Sequence, residues 1–132
     1  MGRIIMPNTE IEEFAKIIVK QLRDAAIRNC DRKLRPDAGG PVAKRWRELA
    51  QEGNFGSVAS VLIPDIVDDT VFQLLRALDQ GLLKLSFTSS DGNIVDLSED
   101  GLGELGGWYM GIPGWRSTYS EERFVDDFSD LK

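Results

Sequence analysis

Indole, phenol and guanidinium groups crowd together between positions 108 and 123: Trp108, Tyr109, Trp115, Arg116, Tyr119 and Arg123. Arginine can stack on an aromatic face and still offer its planar fork to a carboxylate, of a ligand or of a partner protein. Trp, Tyr and Arg are also the residue types enriched at binding hot spots. Both tyrosines of the chain and two of its three tryptophans lie in this window, and six of its thirteen glycines stand just before or among them. Large rings beside backbone-permissive glycines build either a rigid recognition surface or a tightly packed corner of a core. In the second case the rings bury and the arginines pair with Glu121, Glu122 or Asp126. Residue types alone leave both open.

Catalytic side chains are scarce. Histidine is absent, which removes histidine-based triads, imidazole zinc ligands and histidine pH switches. Cys30 is the one cysteine, so no intrachain disulfide forms, and the thiol reads as a small buried hydrophobe in a reducing compartment. What remains is Asp/Glu acid–base chemistry with Arg116 or Arg123 as an anion clamp. Asp65, Asp68 and Asp69, with Asp126 and Asp127, invite comparison with a hard-cation site. No spaced ligand loop matches one, and acids gather at helix N-termini for reasons of their own. Neither a metal nor a cofactor is expected.

Gly101-Leu102-Gly103-Glu104-Leu105-Gly106 matches the dinucleotide fingerprint G-x-G-x-x-G letter for letter. That fingerprint needs a long crossover helix behind it, and Gly107, Gly111, Pro113 and Gly114 stand in its place, so the match reads as accidental. Gly103, Gly107 and Gly111, four apart, would form a smooth ridge on a helix, for packing within the chain or for a dimer contact.

The elements that must position these residues follow from periodicity. Thr9-Glu10-Ile11-Glu12 fits a capping box. Ile11, Phe14, Ile18, Leu22 and Ala25, widened by Ile17 and Cys30, predict a helix from about Glu10 to about Arg32. Pro41 opens a second helix with Val42, Trp46 and Leu49 on its apolar face, ended by Gly53. Residues 54–63 fit a short helix or a strand. A third helix starts near Pro64, with the three aspartates in its first turns and Val67, Val71, Leu74, Leu75 and Leu78 along one side, and Gly81 closes it. Leu83, Leu85 and Phe87 alternate with polar residues, and a turn at 89–92 leads to a short strand over 93–97, a β-hairpin. Residues 98–110 are a weak helix candidate because each interior glycine costs about 1 kcal/mol. Ile112-Pro113-Gly114 is a turn, and Thr118 to Glu121 reads as a second capping box before Phe124, Phe128 and Leu131. The segment from Trp108 to Tyr119 is expected as a loop at the rim of the core.

The 132 residues suit one globular domain with frayed ends at 1–8 and 130–132. The expected fold class is α+β, four or five helices packed with a β-hairpin or small antiparallel sheet. No signal peptide and no membrane span is evident, which makes the cytoplasm the default. Net charge is −6, unevenly spread. Residues 1–53 carry eleven Lys/Arg against eight Asp/Glu, and residues 54–132 five against fourteen. Such halves attract each other or solvate separately, or the acidic half steers a basic partner. The Lys16, Lys20, Arg23 stripe is interleaved with acids and the chain has pI near 4.7, so nucleic acid is not an expected partner. Together these features suggest a non-catalytic, bacterial-type protein-binding domain. An inhibitor or immunity-type protein is its concrete form, using the acidic half and the aromatic–arginine loop against a basic partner. The alternatives are a small-molecule or weak hydrolytic site and a homodimeric assembly protein.

Overall fold

The first 25 described residues form one uninterrupted helical run whose pitch changes midway. The computed structural model describes residues 9–51 and 53–124. α1 (Thr9–Lys16) passes into a π-helical segment (Ile17–Asp24) and then into α2 (Ala25–Lys33). The i→i+5 ladder of a π-helix moves the inward position after Ile18 and Val19 from four residues on to five. Arg23 and Asp24 therefore face the core, 0% and 1% exposed, while Leu22 turns outward at 46%. The expected stripe through Leu22 and Ala25 assumed a constant α-helical period; the π turn replaces it with a buried charged pair.

Pro41 starts α3 (Pro41–Ala50) as expected. Residues 54–63 and the predicted third helix prove to be one element, α4 (Phe55–Asp79), which runs through Pro64. Proline lacks the N–H that would bond the carbonyl four residues back, and that carbonyl belongs to Ser60. Arg123 Nε donates to it at 2.9 Å, so the vacancy is filled from the far end of the described chain. Because α4 begins at Phe55, Asp65, Asp68 and Asp69 lie in mid-helix, beyond the reach of the N-terminal dipole.

The hairpin pairs β1 (Ser86–Thr88) with β2 (Ile94–Asp96), antiparallel, with Phe87 opposite Val95. Phe87 and Val95 pack on the core, whereas Leu83 and Leu85 stay partly exposed. Glu13 of α1 grips the turn, accepting from Ser90 N at 2.8 Å and Ser90 Oγ at 3.0 Å. Three short helices follow: α5 (Leu97–Asp100), α6 (Leu105–Met110) and α7 (Trp115–Tyr119). The fold is a small α+β domain of helices and one two-stranded antiparallel sheet. No helix among the described residues is long and apolar enough to cross a membrane.

Several local expectations are corrected here. The segment from Trp108 to Tyr119 is not a rim loop but helices α6 and α7 folded into the core cluster of Phe14, Ile18, Leu75, Leu78 and Leu105. Thr118 and Tyr119 end a helix instead of capping one, since Ser120 N bonds back to Arg116 O at 3.1 Å. The helix expected around Phe128 and Leu131 and the frayed ends fall outside the described residues, apart from Phe124. No glycine ridge forms: Gly103 has φ +70° in the turn before α6, and Gly111 lies just past its end. The accidental fingerprint has its own occupant, because Leu105 N and Gly106 N both donate to the Asp79 carboxylate, each at 2.9 Å.

The close approach of α6 to α4 is made by Gly106, where an added Cβ would stand 2.9 Å from Phe72 Cε1. We expect Gly106→Ala to lower stability by about 1–3 kcal/mol through overpacking. Gly107→Ala, whose nearest neighbour is Glu104 Oε1 at 3.6 Å, should be neutral or stabilising by about 0.5–1 kcal/mol. Urea unfolding of the two variants checks the contrast.

Candidate functional site

A buried carboxylate organises the interior. Asp68 of α4, 3% exposed, accepts from Arg23 Nε at 2.6 Å, Arg116 Nη1 at 2.6 Å and the Tyr109 hydroxyl at 2.7 Å. Asp24 is the second acid, accepting from Arg23 Nη1 at 2.7 Å and Glu121 N at 2.8 Å. Arg23 also donates to the Arg123 carbonyl at 2.6 Å. Two buried arginines thus face two buried aspartates, and the network is neutral as a whole. Burial works against the Arg23 charge, but the hydrogen bond and charge of Asp68 and the hydrogen bond of Asp24 outweigh it and hold its pKa above the ordinary value. Burial, and then the bond to Asp68, push the Tyr109 phenol far above the usual tyrosine range.

The six residues expected to bind a partner are mostly part of this interior. Tyr109 and Trp115 are 0% and 1% exposed and Arg116 is 4%, so none of these three offers a contact surface. Trp115 stands edge-on to Phe14 with ring centroids 6.1 Å apart, and Trp108, half-buried, packs on Trp115. Tyr119 is half-buried beneath Lys16 Nζ. Arg123 alone is exposed, and its guanidinium is engaged by Asp31 at 2.9 and 3.0 Å as well as by Ser60. Neither Arg116 nor Arg123 is free to clamp an anion; only Arg116 Nε lacks a partner. The opposite charges of the two halves do meet, in the pairs Lys20–Glu121, Arg28–Glu121 and Arg28–Glu122.

The surface that stands out is one sequence reasoning missed. Between α3 and α4 runs an apolar groove of about 240 Å³ lined by Trp46, Leu49, Phe55, Val58, Leu62 and Ile66, with Ala59 and Ile63 beneath. Leu49, Val58, Leu62 and Ile66 are 45%, 44%, 48% and 61% exposed. The signal was present: residues 55–64 contain no charge, and Val58, Leu62 and Ile66 form a second i, i+4 stripe beside the buried Ala59 and Ile63 and the half-buried Val67. A single helix in a small domain can turn only one such stripe fully inward. Farther along α4 a hollow of about 170 Å³ is lined by Asp65, Asp68, Asp69, Phe72, Met110 and Arg116. Among the described residues no group of three or more His, Cys, Asp or Glu side chains is placed to hold a metal ion; Asp126 and Asp127 lie outside them.

Comparison with protein-family models, curated proteins and solved structures returned no match.

Two measurements probe the buried network. Asp68→Asn leaves two buried guanidinium groups short of their counter-charge, and should cost about 3–5 kcal/mol or prevent folding at ambient temperature. Because Tyr109 holds its proton more tightly folded than unfolded, its contribution is intact below the unfolded-state pKa of about 10 and is lost as pH rises beyond it. Urea unfolding from pH 8 to pH 11 should therefore show a steeper fall for the wild type than for Tyr109→Phe.

Proposed function

We propose that this chain is a protein-binding domain of the inhibitor or immunity type, acting by contact, and that its contact face is the α3–α4 groove. One observation carries the reading: a contiguous strip of four half-exposed large aliphatic side chains, Leu49, Val58, Leu62 and Ile66, set beside two half-buried aromatics, Trp46 and Phe55. Apolar patches of this kind mark interaction sites on proteins that otherwise bury such residues. Aromatic rings lining a groove are frequent anchors of binding energy. The strip belongs to rigid helices, so little ordering entropy opposes docking. The aromatic–arginine cluster supports the face from within, by fixing α4 against the first helix.

The hydrolytic alternative has less support, since Arg116 and Arg123 are both bound to carboxylates. A homodimer would draw on the same groove, not on a glycine ridge.

Photo-crosslinking tests the assignment. A photoreactive residue in place of Leu62 should trap a protein from source lysate, and the added change Ile66→Asp should abolish trapping. The same probe in place of Leu82, 78% exposed in the turn after α4, should trap nothing comparable. Equal trapping at both positions would remove the groove from consideration.

A further inference from the structure

Asp65 and Asp69 are exposed, one turn apart, in the middle of α4, and no ion pair or hydrogen bond among the described residues engages them. Neither the helix dipole nor an ion pair accounts for an acid at either place. They are ten and fourteen positions past Phe55, where the helix dipole has no hold. Like charges at i, i+4 weaken a helix instead of supporting it. Arg116, which lines the same hollow, and Arg23 are balanced by Asp24 and Asp68, so the buried network leaves no charge to neutralise Asp65 and Asp69.

Their surroundings have the shape of a receptor for a basic side chain. Both acids line the 170 Å³ hollow whose walls include Phe72, Met110 and the mutually paired Asp68 and Arg116, so that Asp65 and Asp69 leave it with an excess of negative charge. A lysine or arginine combines an apolar stem with a charged head, which suits a hollow where Phe72 and Met110 stand among three acids and one cation. On α4 the two acids adjoin the groove residues, since Leu62, Asp65, Ile66 and Asp69 follow the i, i+3, i+4, i+7 spacing of adjacent positions. Groove and hollow are therefore read by the same stretch of a ligand lying along α4.

Resting on the groove assignment above, we propose that the partner element is a basic amphipathic helix. Its apolar side chains fill the α3–α4 groove, and a lysine or arginine enters the hollow against Asp65 and Asp69. Arg45, exposed on α3 one turn before Leu49, sets the orientation, with the basic edge of the guest on the α4 side. Charge complementarity of this kind governs partner choice and approach more than raw affinity.

The test uses the full chain, isotope-labelled for backbone NMR, and two model peptides of identical pattern. Each has leucines at i, i+4 and i+7; one carries lysines on its remaining face and the other glutamates. The lysine peptide should shift the amide signals of Val58, Leu62, Asp65, Ile66 and Asp69, and the glutamate peptide should bind at least tenfold more weakly. Asp65→Asn/Asp69→Asn should weaken the lysine peptide about fivefold to tenfold, as two partly exposed ion pairs allow. Glu99→Gln/Glu104→Gln, the same change in net charge elsewhere, should alter it less than about twofold, the scale of screened long-range attraction. Equal binding of both peptides, or an unchanged affinity in the Asp65/Asp69 variant, would overturn the basic guest and leave the groove standing. Peptides that leave the groove signals unmoved, or that bind Ile66→Asp as well as the wild type, would overturn the groove and this proposal together. Groove signals that broaden with protein concentration alone would assign the face to a second copy of the chain and reject the basic helix.

Discussion

The structure depends on one desolvated carboxylate. Asp68 is reached by three donors from three different elements: Arg23 of the π segment, Tyr109 of α6 and Arg116 of α7. Taking ionised groups out of water is expensive, and the cost is recovered only when every charge is paired and hydrogen-bonded in good geometry. That condition orders the interior. Arg23 must come inward beside Asp24, which requires the π-helical pitch after Val19. Arg116 must sit directly over Asp68, which requires α7 to fold back onto the core and draws Trp115 in with it.

Arg123 extends the same constraint to the end of the described chain. Its carbonyl accepts from Arg23, while its side chain supplies the donor that Pro64 denies to Ser60 and pairs with Asp31. A proline that would otherwise divide α4 is thereby tolerated within a 25-residue helix. Glu121 and Glu122 lie against Lys20 and Arg28 for the same reason, and the contrast of charge between the two halves of the sequence is in good part internal neutralisation. These outer pairs are exposed and individually weak; the buried network they enclose is where the specificity resides.

Using the aromatics and arginines inside leaves part of α4 without a covering element. The helix carries more apolar surface than the first helix, the hairpin and the short C-terminal helices can cover, and the surplus lies along α3. In this molecule the residues that look like a binding site stiffen the scaffold, and residues that look like ordinary core form the accessible face. The two roles are connected, because α4 contributes Asp68 to the interior and Leu62, Asp65, Ile66 and Asp69 to the surface from neighbouring turns.

Local patterning determined the α+β class, the long first helix, the start of α3 at Pro41 and the hairpin at 89–92, because these depend on periodicity, proline and turn chemistry read within a few residues. The absence of histidine and the single cysteine likewise bounded the chemistry without any coordinates. Tertiary structure decided the rest. Whether Trp115 and Arg116 face water or core depends on Asp68, some fifty residues away. Whether Pro64 ends a helix depends on a guanidinium from position 123, and whether Leu22 or Arg23 points inward depends on a change of pitch stabilised by charges on other elements. The exposed strip from Val58 to Ile66 was legible as an excess of apolar residues, but only packing could show which of two equivalent stripes on α4 would be left outside. A helix has one axis and many possible rotations about it, and the choice among them is made by partners that sequence distance conceals.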